Sequence, residues 1–245
     1  LALPEVWQFG NYAKAWSMGL YRYFGNSVLV SAIALVGILV LASFLAYGLT
    51  RFRAKGSNII FVIVLGGMAL SEQIALVPLY NILQALHLYD TYAAVILPYI
   101  AFRIPFTVFL MRAYFITIPE ELEEAAFMDG AGHWNIMARI YVPLSKASIA
   151  TICLFALVYH WNSWFDGIIL MNKPTQYPLQ SYLQTIIIQG DTSVNSTTDW
   201  QTMALISDRT VKCAQIFLST LPIVAAYPFL QRYFVKGMVM GSVKG

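Results

Sequence analysis

The residues with the clearest potential for chemistry are acidic, and they are concentrated in one place. Four glutamates and one aspartate fall within residues 120–129, although charged residues make up only 11% of the 245-residue chain. They are Glu120, Glu121, Glu123, Glu124 and Asp129. Paired carboxylates can act as general acid and base, but no nearby residue supplies a nucleophile. The acids also lack the alternation of a calcium loop, so we predict neither catalytic residues nor a metal site.

The sequence around these acids predicts a short helix. Thr117 and Glu120 have the spacing of a capping box, and Pro119 suits the first turn of a helix. Glutamates are favourable near a helix N-terminus, and Gly130 stands where a helix can end in a left-handed residue. Charge placement alone therefore explains much of the cluster.

One face of this predicted helix is small and mostly apolar. Leu122, Ala125, Ala126 and Asp129 follow i, i+3, i+4, i+7 spacing, and the adjacent alanines would let a partner approach the backbone closely. A helix docked in a groove of another protein has these properties. A solvated acidic loop accounts for the same composition, so the residues alone leave both interpretations open.

The composition places the chain in a lipid bilayer. It is 59% hydrophobic with a mean hydropathy of +0.65, above the range of ordinary soluble domains. Several apolar stretches are long enough to cross a membrane as helices, and their continuous hydrophobicity favours helices. The five predicted spans are residues 23–50, 57–84, 91–113, 145–166 and 210–232. The predicted fold is therefore all-α, a polytopic integral membrane helical bundle.

The charge and the cysteine content argue against a nucleic-acid-binding protein and against a disulfide or metal site. The net charge is only +3 and the basic residues are scattered, so no nucleic acid is predicted as a partner. Cys153 and Cys213 fall in different predicted spans, where a buried thiol behaves as a small apolar side chain. Neither a disulfide nor a metal site is expected from them.

The basic residues set the expected orientation. Nine Lys and Arg residues fall inside and five outside if the C-terminus is cytoplasmic, which agrees with the positive-inside rule. Residues 1–22 then form an external N-terminal segment and residues 167–209 an external loop. Residues 117–142 and the tail 236–245 lie in the cytoplasm.

Two charges fall inside the predicted spans. Glu72 lies near the middle of the second span and Arg103 near the middle of the third. Isolated charges in hydrocarbon are expensive, so we expect these two side chains to pair or to share a polar cavity. A structural ion pair and a role in gating or substrate contact both remain open.

Polar and aromatic residues gather at the outer end of the fourth span. Trp161, Asn162, Trp164 and Asp166 could contact a sugar or a binding protein, because aromatic faces with polar neighbours suit sugar rings. An interfacial aromatic belt explains the same residues.

The acidic stretch resembles the EAA loop, which has the form EAA, three residues, G, nine residues, I-x-L-P. This loop is found in the membrane subunits of binding-protein-dependent ABC importers. The spacing fits throughout, with one mild departure, a valine in place of the usual leucine. The residues at the motif positions are Glu124, Ala125, Ala126, Gly130, Ile140, Val142, which is the departure, and Pro143. The order of spans and the closing "RYFVKGMVMGSVKG" are similar to the smaller permease of the maltose-type carbohydrate branch, a type I importer.

The resemblance implies a partner for the docking face. In this family the loop seats in a cleft of a cytoplasmic ATPase subunit, which assigns docking to Glu124, Ala125, Ala126, Asp129 and Gly130. The resemblance also implies six spans in the bacterial inner membrane, so a further span is expected before Leu1. No G-x-x-x-x-G-K-[ST] occurs in the chain, so no cofactor is expected in it, and ATP and Mg would bind to the partner ATPase.

The resemblance implies a set of partners and a substrate class. A second permease, forming a heterodimer, two ATPase subunits and an external solute-binding protein are expected. The substrate would be carbohydrate, including acidic oligosaccharides such as alginate fragments. An importer for an amino acid, peptide or metal stays open, as does, in a different class, a channel or an intramembrane enzyme.

Overall fold

The computed structural model describes residues 9–52, 55–192 and 210–228, and within these ranges it contains helices and turns but no β-strand. The helices are α1 (Gly10–Ala15), α2 (Tyr21–Arg51), α3 (Ser57–Gly66), α4 (Glu72–Ala85), α5 (Tyr92–Phe115), α6 (Glu120–Met128), α7 (His133–Ile136), α8 (Val142–Leu144), α9 (Lys146–Asn162), α10 (Phe165–Leu170), α11 (Leu179–Thr192) and α12 (Thr210–Pro228). π-helical turns at Trp16–Leu20 and Met137–Tyr141 join α1 to α2 and α7 to α8. The predicted all-α fold is confirmed.

The centre of the bundle is the packing of α2 against α5. Ala34, Ala42 and Ala46 are spaced at multiples of four residues along α2, and all three are fully buried. A Cβ added to Gly37 of α2 would lie 2.6 Å from Cδ1 of Ile100 on α5. Small residues therefore let the two helices approach closely, as is common between helices in membranes.

The outward-facing residues are apolar, as a lipid-exposed surface requires. On α3, for example, Ile59, Val62 and Ile63 are 64–69% exposed. Among the described residues, three helices are long and apolar enough to cross a membrane, and two bent pairs bring the number to five if each pair is one span. The predicted membrane-embedded helical bundle agrees with this architecture.

The second predicted span, 57–84, is a broken helix in the structure. Ser57–Ala69 and Glu72–Ala85 meet at an angle of 101°. Leu70 and Ser71 are extended at the break, which follows a tight 3-10 turn that begins at Gly67. Glu72 is therefore the first residue of α4, at the break, rather than the middle of a continuous helix.

The fourth predicted span, 145–166, also differs from a single helix. α9 ends at Asn162, Ser163 is extended, and α10 begins at Phe165. The helical segment before α9 is bent from it by 77°. The residues that follow Asn162 therefore form a corner, and this corner borders the polar cavity described below.

The predicted external segment 1–22 is partly helical. Residues from Gly10 onward form α1, which continues through a bend at Gly19, where φ is +97°, into α2. Ala15 is fully buried against Val211 and Ala214 of α12. This part of the segment is therefore packed in the bundle.

Several predicted regions reach beyond the residues that the structure describes. The predicted loop 167–209 includes α11 and most of α10 in its described part. The remainder of that loop (193–209), the end of the last predicted span (229–232) and the tail 236–245 lie outside the described residues.

Candidate functional site

The start of α6 differs from the predicted capping box. Pro119 has an extended ψ of 137°, and α6 begins one residue later, at Glu120. The hydroxyl of Thr117 donates a hydrogen bond of 2.7 Å to the carbonyl of Tyr114 at the end of α5. The capping-box prediction was wrong because Thr117 closes the preceding helix and is too far from the first turn of α6 to cap it.

The end of α6 is a Schellman motif. Gly130 has φ of +80°, a left-handed conformation that glycine adopts without steric cost. The Gly130 N–H donates to the carbonyl of Phe127 and the Ala131 N–H donates to that of Ala126, each at 2.9 Å. These two bonds satisfy the last carbonyls of the helix and set the direction of the chain into α7.

The predicted docking residues are mostly on the surface. Glu124, Ala125, Asp129 and Gly130 are exposed, whereas Ala126 is half-buried and packs against the core between α2, α5 and the segment before α9. The residues predicted to form one docking face therefore have two different environments. Ala126 attaches α6 to the bundle, and the other four residues are accessible to a partner.

The residue that fixes α6 to the bundle is Glu123, which sequence reasoning did not single out. Its carboxylate accepts hydrogen bonds of 2.8 Å from the hydroxyls of Tyr47 and Tyr141. The Nε of Arg51 lies 3.3 Å from the same carboxylate, and another nitrogen of Arg51 lies 3.1 Å from Glu120. The sequence offered one indication that Glu123 is buried, which is that it shares a helix face with Ala126. Its hydrogen-bonding partners could not be predicted because they are distant in sequence.

A surface groove lies beside the end of α6. Its volume is about 370 Å³. The residues lining it come from the Schellman turn and from the next helical segment, and they are Asp129, Gly130, Ala131, Asn135, Ile136, Arg139 and Ile140. The exposed residues of α6 and this groove thus form one continuous surface that combines acidic, basic and small side chains.

The predicted pairing of Glu72 and Arg103 is present. Nη2 of Arg103 lies 3.6 Å from Oε1 of Glu72, and both side chains are about one quarter exposed. The hydroxyl of Tyr159 donates a hydrogen bond to the other oxygen of Glu72. The Arg103 guanidinium also lies over the Tyr159 ring, 3.3 Å from its centroid. Each charge thus has a partner, as burial in a bundle demands.

A polar cavity of about 370 Å³ opens next to this pair. Its walls come from the start of α4, the end of α9 and the corner that leads to α10. The lining residues are Glu72, Gln73, Val158, Tyr159, Asn162, Ser163, Trp164, Phe165 and Asp166. The broken second span and the corner after α9 therefore create the space, as broken helices do in many transporters.

Three of the four predicted sugar-contact residues line this cavity, and Trp161 does not. Trp161 is 4% exposed, and its Nε1 donates a hydrogen bond of 3.0 Å to the carbonyl of Ser219 on α12. Its ring packs edge-on against Phe24. Packing explains the difference, because the Trp161 ring is covered by α12 and by Phe24 and is not available to the cavity.

A helical membrane protein with broken spans around a polar cavity, and with an accessible short helix outside its spans, has the architecture of a transporter membrane subunit. Residues 16–240 match the family model described as "Binding-protein-dependent transport system inner membrane component". The chain belongs to this family and is an inner-membrane component of such a transport system.

Known proteins resemble the chain over nearly its whole length. It is 39% identical over 247 residues to the probable ABC transporter permease protein YurM of Bacillus subtilis, covering 100% of this chain and 76% of YurM. It is 29% identical to the arabinooligosaccharides transport system permease protein AraQ of B. subtilis, covering 99% and 81% of the two chains. A crystal structure of a bacterial ABC transporter involved in import of the acidic polysaccharide alginate superimposes with a TM-score of 0.80 and 28% identity, covering 95% of this chain and 81% of that chain.

Proposed function

We propose that this chain is the permease subunit of an ATP-driven importer that carries an oligosaccharide across the inner membrane by alternating access. Family membership supports transport, and the names of the relatives, which include arabinooligosaccharide and alginate systems, support carbohydrate. The observation that carries the coupling part of the proposal is the exposed surface of α6, held on its opposite face by a buried carboxylate.

The exposed residues of α6 would seat in a cleft of an ATPase subunit on the cytoplasmic side. Glu124, Ala125, Asp129 and Gly130 are accessible, and a side chain as small as alanine lets a partner reach the helix backbone. The Schellman turn and the Glu123 contacts fix the orientation of α6. A movement of the ATPase bound to α6 would therefore be transmitted to the bundle rather than displace the helix alone.

Nucleotide chemistry would belong to other chains. The sequence contains no phosphate-binding loop of the P-loop type, so ATP and Mg would be held by two partner ATPase subunits, and this chain would not be an enzyme. A second permease and an external solute-binding protein would complete the complex. Two predicted spans, 145–166 and 210–232, separate α6 from the C-terminus. If α6 is cytoplasmic, the C-terminus would therefore be cytoplasmic as well.

The polar cavity is the proposed site of solute contact in this subunit. Asn162, Trp164 and Asp166 line it together with Glu72. The Glu72–Arg103 pair joins α4 to α5 at the break in the second span, where a change in bend angle would open or close the space. The pair is therefore proposed to take part in gating.

Site-directed cross-linking tests the docking proposal. Cys153 and Cys213 are first replaced by serine, and Ala125→Cys is combined with a cysteine in the ATPase cleft. The matched control is Ile74→Cys on α4, which is 80% exposed on an apolar surface. We expect cross-linking at position 125 alone, with a yield that changes on addition of ATP. Equal cross-linking at position 74, or none at 125, would contradict the docking role of α6.

A transport assay tests the solute class. The complete complex is reconstituted in vesicles with its binding protein, and ATP hydrolysis and uptake are measured with oligosaccharides, amino acids and peptides. Stimulation by at least one oligosaccharide and by no amino acid or peptide is expected. Stimulation only by a non-carbohydrate solute would overturn the carbohydrate assignment and leave the transport function intact.

A further inference from the structure

The residues that line the polar cavity bear on which sugars it can accept. We infer that it binds a neutral glycan segment and discriminates against uronic acids, an inference that rests on the proposed carbohydrate function. Family membership does not decide this point, because the similar proteins include an arabinooligosaccharide system and an alginate system. The lining of the cavity provides the argument.

The cavity has the side chains that a sugar ring requires. Trp164 is 41% exposed and Phe165 is 36% exposed, and the two rings meet edge to face with centroids 5.6 Å apart. Aromatic faces of this kind pack against the C–H groups of a sugar. The amides of Gln73, on α4, and Asn162, on α9, also line the cavity and can both donate to and accept from hydroxyl groups. Its volume also falls within the range of small-molecule sites.

The ionisable residues that line the cavity are acidic apart from the Tyr159 phenol. Glu72 and Asp166 contribute carboxylates, and none of the nine lining residues in the described part of the chain is Lys, Arg or His. The Asp166 carboxylate accepts a hydrogen bond of 2.8 Å from the Ser163 hydroxyl, and no cationic side chain lies within ion-pair distance of it among the residues described. Carboxylates accept hydrogen bonds from sugar hydroxyls, whereas a uronate placed beside Asp166 would meet a like charge with no cation in the lining of the cavity.

The nearest guanidinium is already engaged. Arg103 lies 3.6 Å from Glu72 and over the ring of Tyr159, and it does not line the cavity. A uronate that approached Arg103 would have to share this cation with the Glu72 carboxylate, and each added carboxylate would increase the uncompensated negative charge inside the bundle. The arrangement therefore opposes an acidic ligand in two ways: the Asp166 carboxylate has no cationic partner among the described residues, and the charge of Arg103 is already balanced by Glu72.

The test compares pairs of oligosaccharides that differ only in charge. Each pair contains a neutral oligosaccharide and its uronic acid counterpart of the same length and linkage, including oligogalacturonides and their methyl esters. Uptake by the complete reconstituted transporter is measured for both members. We expect the neutral member to be taken up about tenfold or more faster than the acid, since like-charge contacts cost several kcal/mol.

Two variants assign the selectivity to the cavity rather than to the binding protein. Asp166→Asn keeps an acceptor for Ser163 and removes the charge, so it should raise acid uptake relative to neutral uptake severalfold. Asp90→Asn is the matched control, because it makes the same chemical change outside the cavity and should leave the ratio unchanged. Asn162→Asp adds a negative charge to the wall and should lower the ratio of acid uptake to neutral uptake below that of the wild type.

The outcomes separate this inference from the proposed function. Equal uptake of neutral and acidic members by the wild type, or a ratio that Asp166→Asn does not alter, would overturn the selectivity while leaving carbohydrate transport established. Uptake of no oligosaccharide at all, with stimulation by another solute, would overturn both.

Discussion

The hydroxyl of Tyr47, on α2, donates a hydrogen bond of 2.8 Å to the buried carboxylate of Glu123, on α6. Tyr141 donates to the other carboxylate oxygen, and Arg51 lies 3.3 Å from that oxygen. The short helix proposed to meet the ATPase is thus bonded directly to the central helix of the bundle. Since a buried carboxylate with several donors has a defined geometry, the relative positions of α6 and α2 are fixed.

Removal of the Glu123 carboxylate should loosen this attachment. Glu123→Ala leaves the hydroxyls of Tyr47 and Tyr141 without their acceptor, and we expect a loss of roughly 1.5–3 kcal/mol, as for hydrogen bonds to charged groups. Thermal unfolding of the purified complex, followed by fluorescence, measures the change. Glu121→Ala is the control, because Glu121 lies on the exposed face. A similar loss in both variants would argue against a special role for Glu123.

The left-handed conformation of Gly130 should be required for coupling. Its φ is +80° and a Cβ would meet no atom within 4 Å, so a substitution there is strained by the backbone alone. Gly130→Val should uncouple ATP hydrolysis from uptake while the protein still inserts, and Gly130→Asn should be milder because Asn tolerates this region. The ratio of ATP hydrolysed to solute imported is the readout. Gly132→Ala is the control, since Gly132 has an ordinary φ of −79°.

The Glu72–Arg103 pair should show strong energetic coupling. Arg103→Gln alone leaves a carboxylate in the bundle without its cation, whereas the double change with Glu72→Gln removes both charges. A double-mutant cycle on thermal stability is expected to give an interaction of roughly 0.5–3 kcal/mol. The pair of Asp90 and Lys173, 3.3 Å apart, should give less, because the Lys173 side chain is 62% exposed. Additive effects at Glu72 and Arg103 would show that their contact is incidental.

The turn between α4 and α5 should loosen in acid. The backbone N–H groups of Asn172 and Lys173 donate to Asp90, and these bonds hold the pKa of its carboxyl below the ordinary value of 3.8. Because the folded pKa lies below the unfolded one, the stabilisation is present above that ordinary value and is lost as the pH falls through the folded pKa. The protection factors of the Asn172 and Lys173 amides, which remove the pH dependence of intrinsic exchange, should be constant from pH 7 to 5 and should fall as the pH drops below the ordinary value. Asp90→Asn should remove the acid dependence.

The features that could be predicted from the sequence were the helices, the end of α6 and the pairing of two charges inside the membrane. The apolar stretches identified the helices, and the position of Gly130 predicted the left-handed end of α6. The pairing of Glu72 with Arg103 followed from the cost of isolated charge in hydrocarbon. The 101° break before Glu72 did not follow, because a run of apolar residues with glycines is compatible with both a straight and a broken helix.

The sequence could not separate buried from exposed members of a charge cluster. Glu123 and Glu124 are adjacent and chemically identical, yet one is buried and the other exposed. What distinguishes them is the position of Tyr47, 76 residues away, and of Tyr141, 18 residues away. Trp161 and Trp164 differ for the same reason, since Trp161 is covered by α12 and by Phe24, which are both distant in sequence.

The length of α2 determines how far a small motion at α6 is carried. At its other end, Asn26 donates hydrogen bonds of 3.1 and 3.0 Å to the carbonyls of Thr175 and Tyr177. Tyr47 and Asn26 are separated by about 32 Å of helix, so a tilt of about 5° at α6 would displace Asn26 by about 3 Å. That displacement is comparable to the length of a hydrogen bond. A rigid α2 thus converts an angular change too small to break the Glu123 contacts into a shift large enough to exchange hydrogen-bond partners at the opposite end of the molecule.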